Sequence, residues 1–133
     1  MFLIDTDVLS ALAKRRRNRN VEAWFARQRD ADLFVSVISI GEIERGIAMK
    51  QRQDPDFARA LATWLGQVLA AYDERVLPFD LAAARRWGEI SATIGSDGAD
   101  LQIGATAIEH GLTVVTRNVT DFEPTGAKTL NPF

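Results

Sequence analysis

Cysteine is absent from the 133-residue chain, and histidine occurs only once, as His110. The lack of cysteine excludes disulfide bonds, zinc sites built from thiolates and cysteine nucleophiles. A single histidine excludes a metal site that needs several histidines from one chain. The chemistry that remains belongs to carboxylates, hydroxyls, lysines and arginines, and carboxylates suit hard cations such as Mg²⁺ and Mn²⁺.

Long hydrophobic runs are also lacking. No apolar segment approaches the roughly 20 residues that span a bilayer. The apolar start of the chain is interrupted by Asp5 and Asp7, which the core of a signal peptide would not contain. We therefore expect a cytoplasmic protein without a membrane partner.

Neither the charge nor the length is extreme. The formal net charge of −2 does not indicate a surface that is basic as a whole, so local patches must make any contact with nucleic acid. A length of 133 residues predicts one domain, 1–133, with little room for a second.

Short apolar runs alternate with longer amphipathic stretches along the chain. Strands are predicted at positions 2–4, 33–37, 76–79, 112–116 and 128–130. Helices are predicted at 8–13, 21–29, 39–50, from 55 onward, at 80–94 and at 100–110. This alternation implies a three-layer α/β/α fold, with a mostly parallel sheet of four to five strands covered on both faces.

Three helix boundaries carry recognisable signals. Ser39 and Glu42 form the Ser-x-x-Glu pattern of a capping box, which predicts a helix start. Asp54 before Pro55 predicts a second start. Gly111 predicts the C-terminal stop of the helix that begins near position 100.

Several acids follow the predicted strands directly. Asp5 ends the first strand, Asp121 comes shortly after the fourth, and Glu42 lies in the first turn of the helix after the second. Because ligands of open α/β sheets collect at the carboxyl ends of the strands, these three acids are expected to meet at one edge. The spacing places Asp100 less firmly, since two helices separate the third and fourth strands.

Each acid also has a purely structural interpretation. Asp5 can be a turn residue, and Glu42 can be the capping partner of Ser39. Asp100 can be a helix-start acid favoured by the helix dipole, and Asp121 can belong to an Asx turn. Taken one at a time these signals are weak, and only their common arrangement points to a site.

Four segments resemble one known family. They read FLIDTDVLSAL, VSVISIGEIERGI, DLQIGATAIEHGLTVVTRNVTDF and, at the end, LNPF. In this order they resemble PIN-domain ribonucleases, and most closely the VapC-type toxins of type II toxin–antitoxin pairs, including the FitB-like branch. The likeness runs from the first strand to the last residues and is weakest at about positions 54–96.

The resemblance implies a Mg²⁺- or Mn²⁺-dependent endoribonuclease in which metal-activated water hydrolyses RNA phosphodiesters and leaves a 5′-phosphate and a 3′-hydroxyl. The four acidic positions of the family, implied to be catalytic and to bind the metal, are matched by Asp5, Glu42, Asp100 and Asp121. Thr6 and Asn118 resemble the polar neighbours that hold metal-bound water or a substrate phosphate. The implied partners are RNA, a second copy of the chain in a homodimer, and a cognate antitoxin whose tail enters the acidic groove.

One position departs from the family pattern, because Asp7 stands where asparagine is usual. Asp7 is either the N-cap of the next helix or an additional acid of the site. Asp97, in the loop before the sixth predicted helix, leaves the same question open about which acids bind metal.

A basic run extends from Lys14 to Arg19. Its arginines Arg15, Arg16 and Arg17 are the predicted contact to the RNA backbone, and a solvated loop is the alternative. The three tryptophans fit amphipathic helix spacing and are interpreted as core or interface residues rather than base-stacking platforms.

Two other functions remain open at this point. Asp5-Thr6-Asp7 after an apolar strand also resembles the nucleophile motif of haloacid-dehalogenase-type phosphatases, in which Asp5 would take the phosphoryl group and Asp7 would act as acid and base. A non-enzymatic, receiver-like Mg²⁺-binding signalling domain also gathers acids at its strand ends. The later segments fit the phosphatase poorly, and Glu42 has no natural place in a receiver.

Overall fold

The computed structural model of the protein describes residues 1–13 and 18–133. Within them five strands form one parallel sheet: β1 (Phe2–Ile4), β2 (Leu33–Ser36), β3 (Val76–Leu77), β4 (Thr113–Val115) and β5 (Thr129–Leu130). Their order across the sheet is β3-β2-β1-β4-β5, and every neighbouring pair is parallel. The predicted α/β architecture with a parallel sheet is confirmed.

Seven α-helices occur in the same described ranges. They are α1 (Thr6–Ala11), α2 (Arg19–Ala26), α3 (Val37–Lys50), α4 (Pro55–Tyr72), α5 (Leu81–Ile94), α6 (Ala99–His110) and α7 (Val119–Phe122). None of the helices in the described part of the chain is both long and apolar enough to cross a bilayer.

The core has two halves because the sheet is covered on both faces. Successive side chains of a strand point to opposite faces. Ile4, Val35 and Val115 are fully buried against α1, α2, α3 and α4. Leu3 and Val114 are fully buried on the other face, against α6 and α7.

The register of the three central strands determines where the site lies. Ile4 of β1 pairs with Val35 of β2 and with Val115 of β4, so these strands reach the same edge together. Asp5 and Thr116 follow β1 and β4 directly. Residues that are distant in sequence therefore start their connections side by side at the carboxyl edge of the sheet.

The start of α3 differs from the prediction. Ser36, the last residue of β2, is the N-cap, and its hydroxyl accepts a hydrogen bond of 3.0 Å from the amide of Ile38. The capping box of Ser39 and Glu42 is therefore wrong, and Glu42 lies in the second turn of α3 rather than the first. Ser36 caps α3 in place of Ser39 because β2 passes into the helix without a loop. Ser39 then lies inside the helix and is fully buried.

The predicted helix boundaries at Asp54, Asp80 and Gly111 are confirmed, whereas α1 and α2 begin and end two to three residues earlier than the predicted helices 8–13 and 21–29. Asp54 accepts a hydrogen bond from the amide of Phe57, with Pro55 as the first residue of α4. Asp80 caps α5 through its side chain. Gly111 ends α6 in the left-handed conformation, with φ of 65°, which glycine adopts without steric cost.

Several strands are shorter than predicted. The segment 76–79 keeps only its first two residues in β3, because Pro78 has no amide hydrogen to donate to a neighbouring strand. The segments 33–37 and 112–116 each lose residues to the turns and helices that follow or precede them. Short strands are sufficient to position the acids, because this requires only that the carboxyl ends of the strands lie at the same edge of the sheet.

Candidate active site

Asp5 stands at the carboxyl end of β1 and is only 4% exposed. One carboxylate oxygen accepts a hydrogen bond of 2.8 Å from the amide of Thr6, which makes Asp5 the N-cap of α1. The other accepts one of 2.8 Å from the hydroxyl of Thr116. The interpretation of Asp7 as this N-cap is therefore wrong, because Asp5 takes that position.

Burial raises the pKa of the Asp5 carboxyl from its ordinary value of 3.8 to about 7. The hydrogen bond from Thr116 opposes this rise, and the negative charge of Asp7 adds to it. At neutral pH the side chain is therefore divided between its protonated and charged forms. A cation nearby would favour the charged form.

Asp7 lies in the first turn of α1 with its carboxylate half-buried. Its Oδ2 accepts a long hydrogen bond of 3.4 Å from the side-chain amide of Asn118. Its Oδ1 is buried and has no hydrogen-bond partner among the described residues. A buried carboxylate oxygen without a partner is costly, and either a proton shared with the carboxyl of Asp5 or a cation would stabilise it; a side-chain hydrogen bond with Asp7 is one of the causes of the raised pKa of Asp5.

Glu42 reaches the same region from α3, and Thr6 holds it there. The Thr6 hydroxyl donates a hydrogen bond of 2.7 Å to Glu42 Oε1, and its oxygen lies 2.8 Å from the buried hydroxyl of Ser39. Thr6 thus links the first turn of α1 to the second turn of α3. Thr6, for which the family resemblance implied a contact with water or phosphate, holds a carboxylate in this structure.

Asp100 completes the cluster from the first turn of α6. Burial raises the pKa of its half-buried carboxyl, and the negative charges of Asp121, Glu42 and Asp7 raise it further. Charges act on one another in this way only across short distances. The topology therefore brings Asp100 to the acids of the other elements, although its sequence position did not require this.

The remaining predicted site residues are more exposed. Asp121 lies on α7, and Asn118 directly precedes that helix. Asp97 is exposed in the loop before α6 and contributes to neither raised pKa. The arginines at 15–17 lie outside the described residues.

Thr116 is a functional candidate that sequence reasoning missed. It is fully buried, donates to Asp5, and accepts a hydrogen bond of 2.9 Å from the backbone amide of Asn118. Its side chain therefore holds Asp5 and the start of the α7 segment in a common geometry. The available signal was its position one residue after β4, at the same level as Asp5.

The donor chemistry fits a hard divalent cation, since every candidate ligand is a carboxylate oxygen. Burial and neighbouring negative charges raise the pKa values of Asp5 and Asp100, and a bound cation would stabilise the charged forms of both. Across residues 1–13 and 18–133, however, no three acidic or histidine side chains already surround a common point as ligands. The acids share one region, and Glu42 and Asp121 stand on its exposed side.

Comparison with known proteins gives a consistent result. A family model described as PIN domain matches residues 2–126. The chain is 36% identical to the VapC ribonuclease Y4jK of Sinorhizobium fredii, over all of this chain and 98% of that protein. It is 31% identical to the toxin FitB of Neisseria gonorrhoeae, over all of this chain and 99% of that protein.

The fold agrees with the sequence comparison. The crystal structure of FitAcB from Neisseria gonorrhoeae superposes with a TM-score of 0.88 at 32% identity, covering 99% of this chain and 98% of that one. The resemblance to VapC-type and FitB-like proteins is thereby confirmed, and the chain belongs to the PIN-domain family.

Proposed function

We propose that this PIN domain is a metal-dependent endoribonuclease that acts as the toxin of a toxin–antitoxin pair. Its full-length likeness to a VapC ribonuclease and to the toxin FitB supports both the activity and the role. The observation that carries the proposal is the convergence of acids from separate elements at one edge of the sheet. Asp5 directly follows β1, Glu42 of α3 accepts a hydrogen bond from Thr6 of α1, and Asp100 in the first turn of α6 is close enough to feel the charges of the neighbouring acids. A cluster of this kind is costly unless a cation neutralises it.

The proposed ligands of the cation are Asp5, Glu42, Asp100 and Asp121. We expect Mg²⁺, with Mn²⁺ as a substitute, because both take oxygen ligands in octahedral geometry. When bound, the cation would offset negative charge on the phosphate and lower the pKa of water, so that hydroxide forms near neutral pH. The histidine that many nucleases would use as a base is then not required.

The hydrogen bonds around the acids act on orientation and charge. Thr116 donates a hydrogen bond to Asp5 and thereby favours its charged form. Thr6 donates a hydrogen bond to Glu42 and thereby orients its carboxylate. Asn118 donates to Asp7, and its exposed position also leaves it available to a substrate phosphate. These three polar residues are proposed to position the carboxylates and the phosphodiester rather than to take part in bond breaking.

The proposed partners follow from the same family membership. RNA is the substrate, contacted along its backbone by the arginines at 15–17. A cognate antitoxin would inhibit the enzyme by placing an arginine or lysine of its tail among the acids. The active form would be a homodimer in the cytoplasm, and a monomer mass at micromolar concentration in solution would contradict the dimer.

The two other functions considered from the sequence lose their support. The segments that follow the Asp5-Thr6-Asp7 motif fit a phosphatase of the haloacid-dehalogenase type poorly, and the PIN family model matches residues 2–126. A receiver-like domain offers no role for Glu42 or Asp100. Membership of the PIN family decides against both.

The test is cleavage of RNA by the wild type and three variants, with and without metal. Asp5→Asn and Asp100→Asn should each lower the cleavage rate at least about 100-fold, as expected for loss of a charge-stabilising group. Asp97→Asn is the matched control, because it removes an exposed neighbouring acid, and it should cleave like the wild type. Activity should disappear in EDTA and return with Mg²⁺ or Mn²⁺, and near-normal cleavage by Asp5→Asn would refute the assignment.

A further inference from the structure

An exposed arginine stands between two residues of the candidate active site. Arg117 directly follows Thr116, whose hydroxyl donates to Asp5. It directly precedes Asn118, whose side chain donates to Asp7. Because consecutive Cα atoms are only about 3.8 Å apart, the backbone of Arg117 lies at the same edge of the sheet as the acids.

The guanidinium of Arg117 is not paired with these acids. Within residues 1–13 and 18–133 it forms no ion pair and its side chain donates no hydrogen bond. Its charge is also absent from the causes that shift the pKa values of Asp5 and Asp100. A cation close to these carboxyls would lower their pKa values, so the guanidinium lies outside the acidic cluster.

An aromatic ring holds the guanidinium in place. The guanidinium carbon of Arg117 lies 3.8 Å from the centre of the Phe133 ring. Phe133 is half-buried and packs against the half of the core that α1 to α4 cover. Its backbone carbonyl accepts a hydrogen bond from the side chain of Asn20 in α2, and its amide donates one to the side chain of Asn131. The ring is therefore a fixed support for the arginine.

Stacking leaves the hydrogen-bonding capacity of the arginine intact. A guanidinium that lies over a ring makes the contact through its face, whereas its five N–H donors point outward in its plane. The planar fork of donors matches two oxygens of one phosphate. Arg117 thus combines a fixed orientation, exposure to solvent and donors that no described residue occupies.

We propose that Arg117 binds a phosphate of the RNA strand that flanks the phosphodiester held at the acids, and that Phe133 is the positioning residue for this contact. The inference rests on the proposed function, which places the reacting phosphate beside Asp5. Because the guanidinium lies outside the acidic cluster, it contacts a neighbouring phosphate rather than the one that is cut. Every nucleotide of the strand carries such a charge, so a flanking phosphate is always present.

The sign of the charge favours the substrate over the proposed inhibitor. The antitoxin tail is proposed to carry an arginine or lysine to the acids, and Arg117 repels a basic segment. An RNA strand is attracted by it at every position. No described carboxylate offsets the charge of Arg117 by pairing with it, so the attraction acts fully on the strand.

Five variants separate charge, geometry and support. Arg117→Gln removes the charge, and Arg117→Lys keeps the charge without the planar fork. Phe133→Leu removes the ring but keeps an apolar side chain against the core, and Phe133→Tyr keeps the ring. Arg27→Gln is the matched control, because Arg27 is also exposed but lies at the C-terminal end of α2, shortly before β2 and hence at the opposite edge of the sheet.

The first measurement is the Kd for a short, unstructured, fluorescently labelled RNA at several NaCl concentrations and fixed Mg²⁺. It is made in an Asp100→Asn background that should not cleave. Each phosphate contact to a single strand adds about 0.7 to the slope of log affinity against log salt. Arg117→Gln should raise Kd roughly tenfold at low salt and reduce the slope by about 0.7. Arg117→Lys should keep the slope and raise Kd less, and Arg27→Gln should match the wild type.

The second measurement tests the role of Phe133 with a double-mutant cycle. Phe133→Leu should raise Kd several-fold when Arg117 is present, whereas Phe133→Tyr should bind like the wild type. The double variant Arg117→Gln/Phe133→Leu should bind like Arg117→Gln alone, because the ring acts on RNA only through the arginine. Effects of the two substitutions that add would show that the ring does not position Arg117.

The outcomes distinguish this inference from the proposed function. If the wild type cleaves RNA and Arg117→Gln has the same Kd and salt slope, the phosphate contact is refuted and the nuclease stands. If RNA binding depends on Arg117 in the expected way but the wild type cleaves none, the contact stands and the nuclease assignment fails. If Arg117→Gln weakens binding of the antitoxin but not of RNA, the arginine belongs to the antitoxin interface and the inference is refuted.

Discussion

Replacing Asp5 by asparagine should stabilise the metal-free protein at alkaline pH, although it removes a buried polar group. In the folded chain the pKa of Asp5 is about 7, against an ordinary value of 3.8 that applies to the unfolded chain. The folded state therefore binds the proton more tightly. Stability from this group is fully present below pH 3.8 and is lost as pH rises through about 7.

The magnitude follows from the two pKa values. At about 1.4 kcal/mol for each tenfold change in proton affinity, the charged Asp5 costs roughly 4 kcal/mol of unfolding free energy above neutral pH. Asparagine is uncharged at every pH and avoids this cost. It still accepts the hydrogen bond from the amide of Thr6, but it pairs less well with the hydroxyl of Thr116, at a loss of about 1–3 kcal/mol.

The free energy of unfolding of Asp5→Asn should therefore exceed that of the wild type by roughly 1–3 kcal/mol near pH 8. Near pH 4, where Asp5 of the folded wild type is mostly protonated, it should be lower by a similar amount. Urea denaturation in EDTA at the two pH values measures both free energies of unfolding. Asp97→Asn, which changes an exposed acid, should show neither effect. If Asp5→Asn destabilises the protein equally at both pH values, Asp5 acts only as the N-cap of α1 and its charge does not destabilise the folded protein.

Two further variants test neighbouring parts of the structure. Thr116→Val removes the hydrogen bond that lowers the pKa of Asp5, so the metal affinity of this variant should fall several-fold. Thr116→Ser keeps the hydroxyl and should keep the metal affinity. Equal affinity in the two variants would show that the hydroxyl does not act on Asp5. Gly104→Ala would place a Cβ 3.0 Å from the hydroxyl oxygen of buried Thr125, which should cost about 1–3 kcal/mol in urea denaturation. Wild-type stability of that variant would contradict the close packing of α6 against the segment 123–125.

The order of elements and the common edge could be predicted from sequence. Apolar runs that alternate with amphipathic stretches require a covered parallel sheet, and the carboxyl ends of parallel strands meet at one edge. The expected positions of Asp5 and Asp121 at this edge follow from that rule alone. Asp100 could not be placed by it, because the path of α5 and α6 across the sheet depends on packing between helices rather than on any local pattern.

Hydrogen bonds between distant residues were the least predictable part of the site. Thr6 and Glu42 are 36 positions apart, and Thr116 and Asp5 are 111 apart. Such pairs depend on strand register, which a single sequence does not specify to within one residue. The same limit applies to the start of α3, because the capping pattern that predicts Ser39 as the cap fits more than one start of this helix.

Asp5 and Asp100 are proposed to belong to one cation site, and direct titration of metal into the protein tests this assignment without RNA or antitoxin. Isothermal titration calorimetry with Mn²⁺ and with Mg²⁺ near neutral pH would compare the wild type with Asp5→Asn, Asp100→Asn and the control Asp97→Asn. We predict saturable binding in the wild type and the control, and affinity at least about tenfold weaker in each of the other two variants. Equal affinity in all four proteins, or no binding in the wild type, would contradict the account.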